Sequence, residues 1–268
     1  MNKITQLEVT GLDYSYKIDN GITISLLENL NFKIKNINGE NSFTSLVAPF
    51  GSGKSTLLKI ICGLLTPTSG KIILDSDSEP RGKSKIVLIN EKQNILPWLS
   101  VKKNIEFMLK YSEYENKKSE SDIQHIIDFV GLKGYEDHIP DSKSKGFIFR
   151  IALANALIIN PDFILLDEPF NSFSSKTRSE IYETIQNVKD KFPVNFLLAT
   201  TNILEAIFLS DSFFLMEKNP GTVYDLIKID RTMLPKTMEI NNYISGIVSL
   251  IQNKFSEHNL LEIINFSL

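Results

Sequence analysis

Nine consecutive residues, Ala48-Pro49-Phe50-Gly51-Ser52-Gly53-Lys54-Ser55-Thr56, constrain this chain more than any other feature. A short apolar run, Phe43 to Val47, precedes them and reads as a buried strand. After them the pattern becomes helical from Lys54 to Leu65 and is closed by Thr66-Pro67-Thr68-Ser69-Gly70. This is the GxxxxGK[ST] phosphate loop in its strand–loop–helix context, with alanine at the first glycine position. Gly51 and Gly53 let successive backbone N–H groups turn onto phosphates, and the helix N-terminus adds positive potential. Lys54 can reach the β- and γ-phosphates, while Ser55 offers its hydroxyl to Mg²⁺. Pro49, Phe50, Ser52 and Thr56 complete the candidate nucleotide-binding segment. Ala48 matters only if its backbone needs a positive φ, where a Cβ is costly.

Around this loop the periodicity alternates. Gln6 to Val9, Leu26 to Ile34 and Lys85 to Ile89 read as strands, as do Phe163–Leu166, Phe196–Ala199 and Phe213–Met216. Helical faces appear at Val101, Ile105, Met108 and Leu109, and again at Ile123, Ile126, Ile127 and Val130. A run apolar nearly all round, Phe147 to Ile159, predicts a buried helix, and Lys176 to Lys191 predicts another. The polar stretch Ser112 to Ser121 reads as a solvated loop. Strands alternating with helices imply an α/β protein with a parallel sheet covered on both faces. A stripe of Ile240, Ile244, Ile247 and Ile251 predicts a helical tail that packs on the core or dimerises.

A second candidate site follows the strand Phe163–Leu166, at Asp167-Glu168-Pro169. An aspartate ending a buried strand can hold Mg²⁺, and a glutamate one residue on can orient or deprotonate an attacking water. Alone, such a pair is an ordinary solvated loop. With a phosphate loop upstream, the catalytic reading is the better one.

The chain has 268 residues, 42% of them hydrophobic, enough for a sizeable core and against disorder. Its 29 basic and 32 acidic residues give a net charge of −3, which argues against nucleic acid as a partner. The single cysteine, Cys62, sits in an apolar helical run and reads as a small buried hydrophobe. There is no signal-like N-terminus and no run of roughly 18 apolar residues. A cytoplasmic protein is expected, held at a membrane only by something else.

At Asp167 and Glu168 the sequence resembles the ATP-binding subunit of ABC transporters: FILLDEPF, with Thr177-Arg178 in the helix after it, is similar to that family's Walker B region. The stretch ILPWLSVKKNI, 95–105, and Asn219-Pro220-Gly221 resemble the nitrate/sulfonate/taurine import branch. The resemblance implies a RecA-like P-loop NTPase core of ABC type, with an antiparallel β region and an inserted helical subdomain. An ABC ATP-binding domain over 1–230 is expected, with its helical subdomain at about 91–160 and a C-terminal helical tail at 231–268. It implies ATP and Mg²⁺ as cofactors, the metal on Ser55 and Asp167, and Glu168 as the catalytic base. It also implies a second ABC ATP-binding subunit, the same or different, whose signature loop completes each nucleotide site. A transmembrane permease is the other implied partner, placing the protein at the inner face of the membrane, with Trp98 beside the groove for a permease helix. Tyr16 matches the aromatic that stacks on adenine, with Tyr14 as the fallback.

Five groups of the family's pattern are missing or altered. The water-sensing glutamine falls on Glu91, with Gln93 nearby. The signature corresponds to Lys143-Ser144-Lys145-Gly146, so Lys145 replaces a glycine in the trans loop formed by Ser144, Lys145 and Gly146. Ser174 stands at the D-loop aspartate, and Thr201 and Asn202 at the switch histidine and the aspartate after it. None of His125, His138 and His258 is near a catalytic position. Ala48 is the mildest change. The expected function is an energy-coupling subunit of an importer for a small solute, with weakened hydrolysis, above all as a homodimer. The alternative is a non-hydrolysing regulatory or structural subunit paired with an intact ATPase. A small-molecule kinase is disfavoured, because there is no arginine-rich lid.

Overall fold

The computed structural model describes residues 4–18, 21–36, 40–76, 85–90, 95–111, 118–140 and 144–229. Glu91, Gln93, Lys143, His258, most of the polar stretch after Tyr111 and the tail expected at 231–268 lie outside the described residues. By internal contacts the chain divides into two units: Thr5–Asp75 together with the chain from Leu197, and Ser76–Phe196.

The first unit opens with β1 (Ile4–Lys17), β2 (Thr23–Lys35), β3 (Phe43–Val47), α1 (Lys54–Ile61) and β4 (Ser69–Ser76). The second carries β5 (Ile86–Ile89), α2 (Val101–Tyr111), α3 (Glu120–Phe129), α4 (Lys145–Leu157), β6 (Phe163–Asp167) and α5 (Ser175–Lys191). The chain passes back along β7 (Asn195–Thr200) and adds α6 (Ile203–Leu209), β8 (Ser212–Met216) and β9 (Val223–Lys228) to the first unit.

Within the first unit, β2-β1-β4 form a three-stranded sheet in which β1 and β2 run antiparallel. The larger sheet runs there in the order β7-β3-β8-β9, with β3 parallel to β8 and β9 antiparallel at the edge. Every residue of β3, β7 and β8 is buried, which is why these strands read as continuous apolar runs rather than alternations. Behind β3, Val47 packs with Ile203, Leu204, Ile207, Phe213 and Leu215. In the second unit β5 and β6 pair in parallel. There α4 is the hub, packing against α2, α3 and α5. Phe149, Ile151, Leu153 and Leu157 are all buried, as the all-round apolar pattern requires. The α/β class with an added antiparallel sheet and a helical segment is the architecture expected from the sequence.

Several boundaries differ, each for a local reason. Strands β1 and β2 run longer than Gln6–Val9 and Leu26–Ile34, because register shifts near Leu12 and Tyr14, and positive φ at Gly11 and Asn29, break their alternation. Helix α1 ends at Ile61, short of Leu65: Gly63 takes φ 77° and donates its N–H to Ile60 at 3.0 Å, a left-handed stop. Helix α4 begins at Lys145 instead of Phe147, so Lys145 and Gly146 are helical, not loop. Three elements went unread: β4, the half-exposed edge strand β9 and the seven-residue α6.

Candidate nucleotide-binding site

The phosphate loop leaves β3 and enters α1 inside the first unit. Gly51 and Gly53 take φ values of 81° and 95°, the left-handed region that L side chains rarely adopt. Gly53 is restricted twice over, because a Cβ there would lie 2.5 Å from Leu27 Cδ2. Ala48 is buried and is not among the positive-φ residues, so alanine stands at the first glycine position without strain. The Lys54 ammonium is buried and donates to the carbonyls of Ala48, at 2.8 Å, and Pro49, at 3.0 Å. It therefore folds back over the loop that it follows, at the head of α1. Ser52 Oγ is buried and has no hydrogen-bond partner, an unmet polar demand in the middle of the loop. Pro49 is buried, Phe50 is 87% exposed, and Ser55 and Thr56 are half-buried in the first turn of α1. Left-handed glycines, a buried ammonium and an orphaned hydroxyl together form a donor set that fits a polyphosphate.

The strand after the loop's neighbour braces its first residue. Thr200, at the end of β7, accepts the Ala48 N–H at its carbonyl, 3.1 Å away. Its hydroxyl donates to the buried Glu205 carboxylate at 2.5 Å and accepts the Asn202 N–H at 3.0 Å. Asn202 caps α6 by accepting the Leu204 N–H at 2.9 Å, and Thr201 lies half-buried between them. Sequence reasoning stopped at Thr201 and Asn202 and missed Thr200 and Glu205. The one visible signal was an asparagine followed three residues later by a glutamate, the spacing of a capped helix start. Tyr16 is 41% exposed on β1 opposite Ile24, whereas Tyr14 is half-buried opposite Leu27; the exposed ring is the one with a free face for stacking.

The acidic segment belongs to the second unit. Asp167 is the buried last residue of β6, and Glu168 follows it with φ 46°. A bulky non-glycine residue there stores of order 1–3 kcal/mol of strain, and such strain clusters at functional positions. Two residues on, Phe170, fully buried, packs 5.8 Å from Phe149, 5.9 Å from Phe173 and 5.1 Å from Tyr182, ring centre to centre. Ser174 caps α5, its hydroxyl accepting the Thr177 N–H at 3.2 Å. Ser144 caps α4 in the same way, accepting the Phe147 N–H at 3.3 Å, which leaves the hydroxyl's own proton to donate elsewhere. Lys145 is exposed and Gly146 buried, where a Cβ would collide with Thr177 Cγ2. Trp98 is 68% exposed. Cys62 is half-buried, donates to the Lys59 carbonyl at 3.4 Å, and has its thiol pushed up by burial, all against a reactive role.

Residues 27–171, which take in both the phosphate loop and Asp167-Glu168, match the family described as ABC transporter. This chain belongs to the ABC transporter ATP-binding family. The cassette is 34% identical over 206 residues to the aliphatic sulfonates import ATP-binding protein of Bacillus cereus, spanning 77% of this chain and 79% of that one. It is 31% identical over 217 residues to the nitrate import ATP-binding protein of Synechocystis, spanning 81% and 80%. Among solved structures it resembles an ATP-binding cassette seen as a dimer in a post-hydrolysis state with ADP and phosphate. That match has a TM-score of 0.68, 27% identity, and covers 84% of this cassette and 99% of that chain. Members of the family bind ATP with Mg²⁺.

Proposed function

We propose that this cassette is the ATP-binding, energy-coupling subunit of an importer for a small solute, working with reduced hydrolysis. The phosphate loop carries the reading. Left-handed Gly51 and Gly53, the buried Lys54 and the orphaned Ser52 hydroxyl form an anion cradle. The import roles printed in the names of its relatives support the transport half. In this reading Pro49 to Lys54 hold the phosphates, Thr56 completes the loop, and Tyr16 stacks on the base. Ser55 and Asp167 are assigned to Mg²⁺ by the family's motifs, and Glu168 to activation of the attacking water. Bound Mg-ATP supplies the phosphoanhydride whose cleavage drives transport. A second cassette, a permease and a seat at the inner face of the membrane complete the assembly. Among the described residues, no helix is long and apolar enough to cross a membrane. An ATP-binding domain over 1–230, with a helical subdomain at about 91–160 and a separate tail, belongs to the same proposal.

Reduced hydrolysis is inferred from Thr201, which lacks an imidazole to place charge at the transition state, and from Lys145 where the family has glycine. Losing one such positioned donor costs about 10²–10³ in turnover. The second reading, a subunit that binds nucleotide without hydrolysing it, is favoured by the changes at Glu91, Lys145, Ser174 and Thr201, which fall in four separate elements of the family's pattern. Phosphate release from Mg-ATP, measured beside Glu168→Gln, decides between them. Release that vanishes in Glu168→Gln supports the coupling subunit. Release equal in the two proteins overturns it in favour of the non-hydrolysing subunit.

A further inference from the structure

The Asn219-Pro220-Gly221 turn, marked in the sequence but idle in the site so far, lies under the phosphate loop. Gly221 is buried and bonded into β2 from both sides: its N–H donates to the Leu26 carbonyl at 2.8 Å, and its carbonyl accepts the Glu28 N–H at 3.1 Å. It has no positive φ, so its backbone does not demand glycine. Its surroundings do. A Cβ at Gly221 would strike the Ser52 carbonyl oxygen, come within 2.5 Å of Met216 Cε and 3.0 Å of Leu27 Cδ2. The same Leu27 methyl is the atom that a Cβ at Gly53 would meet at 2.5 Å. Leu27 is fully buried, held between the two glycines.

From this contact set we infer that Gly221 is a positioning residue for the phosphate loop, seating the Ser52–Gly53 peptide so that its N–H faces away from the turn and toward phosphate. The inference rests on the proposed nucleotide reading of that loop. In a trans peptide the C=O and N–H point in opposite directions. The Ser52 C=O is turned onto Gly221, so the Gly53 N–H is turned off it, on the side that an anion must approach. A side chain at position 221 cannot be absorbed cheaply. Met216 ends in a flexible thioether that can swing aside, but the Ser52 oxygen is backbone and moves only if the loop tips. Tipping rotates the N–H with it.

Alanine at 221 is therefore a clean probe, since it adds one methyl and imposes no new φ. The experiment measures Kd for a fluorescent ribose-labelled ATP with Mg²⁺, the urea unfolding midpoint, and, without nucleotide, exchange of the Ser52 amide, whose N–H donates to the Pro49 carbonyl at 3.3 Å within the loop. The full chain is used, as wild type, Gly221→Ala, Gly221→Ala/Met216→Ala and Lys54→Ala. Gly221→Ala is expected to raise Kd tenfold or more and to speed Ser52 exchange. Adding Met216→Ala is expected to leave Kd high, because room is regained on the side-chain flank only and the Ser52 oxygen is still struck. A Gly221→Ala Kd within twofold of wild type, while Lys54→Ala abolishes binding, overturns this inference alone. Recovery of Kd in the double variant also overturns it, by making Gly221 a packing residue against Met216. No binding by wild type, with Lys54→Ala indistinguishable from it, overturns the nucleotide reading first and this inference with it.

Discussion

Thr200 engages a carboxylate, an amide and the phosphate loop from a fully buried position. Its carbonyl fixes Ala48 whatever the side chain is, so Thr200→Val separates the hydroxyl's work from the strand's. Valine matches the shape and removes both the donor to Glu205 and the acceptor of Asn202 N–H. Losing bonds to a buried carboxylate costs about 1–3 kcal/mol, so a drop of about 2 kcal/mol in urea unfolding stability is expected. A change below 0.5 kcal/mol would mean that the hydroxyl is replaceable there. How legible such residues are depends on how local their chemistry is. Lys54, Gly51 and Gly53 could be read because a phosphate is held by consecutive backbone groups. Asp167 and Glu168 could be read because both stand at one strand end. Leu27, Gly221 and the Thr200–Ala48 bond could not, since their meaning is a contact between distant stretches of chain.

At the scale of elements, the joint of α4 and α5 gives Gly146 a reason to be glycine beside the one its motif implies. Gly146 is expected, from the family's signature, to let backbone approach a phosphate. In this fold it also has a neighbour within the same unit, Thr177 Cγ2, where its own Cβ would have to go. Overpacking of this kind costs typically 1–3 kcal/mol, set against about 1 kcal/mol gained from helix propensity. Gly146→Ala should therefore lower stability in the wild-type background. With Thr177→Ser it should be neutral or stabilising, because serine keeps the hydroxyl that meets Ser174 and removes the offending methyl. Unfolding of the four proteins completes the cycle; equal effects in both backgrounds would remove Thr177 from the explanation. Arg150 is the second fastener of this region, donating to the Val130 carbonyl at 2.5 Å and to Thr184 Oγ1 at 3.0 Å. Burial presses its guanidinium below the ordinary value and Glu180 opposes that. Arg150→Met keeps the stem and loses the bonds, so about 1.5–3 kcal/mol of stability should go, seen as an earlier urea midpoint. The long, one-sided or wholly apolar helices were readable from their period. Strand β9 and helix α6 were not, being too short for a period to establish itself, and β4 was hidden behind the turn at Gly70.

The proposed departures at Thr201 and Lys145 belong to the scale of the whole molecule, because the reading has them meet at one nucleotide. In the family's arrangement each ATP meets the phosphate loop of one subunit and the signature segment of another. If two copies of this chain pair, Thr201 and Lys145 act on the same nucleotide, and both sites carry both changes. Groups that act as a unit lose and regain activity non-additively. Thr201→His supplies the missing donor, but beside a lysine that still occupies the signature. Lys145→Gly frees the signature, but without the donor. For a weakened motor, Thr201→His should raise phosphate release from Mg-ATP tenfold or more, against about 10²–10³ for a fully competent site. The double variant should exceed the product of the two single gains. Adding Glu168→Gln to it should abolish the gain, tying the signal to water activation at this site. If all variants release phosphate at the wild-type rate, restoring the lost groups restores nothing, and the chain is better read as the nucleotide-binding half of an assembly whose hydrolysis belongs to another subunit.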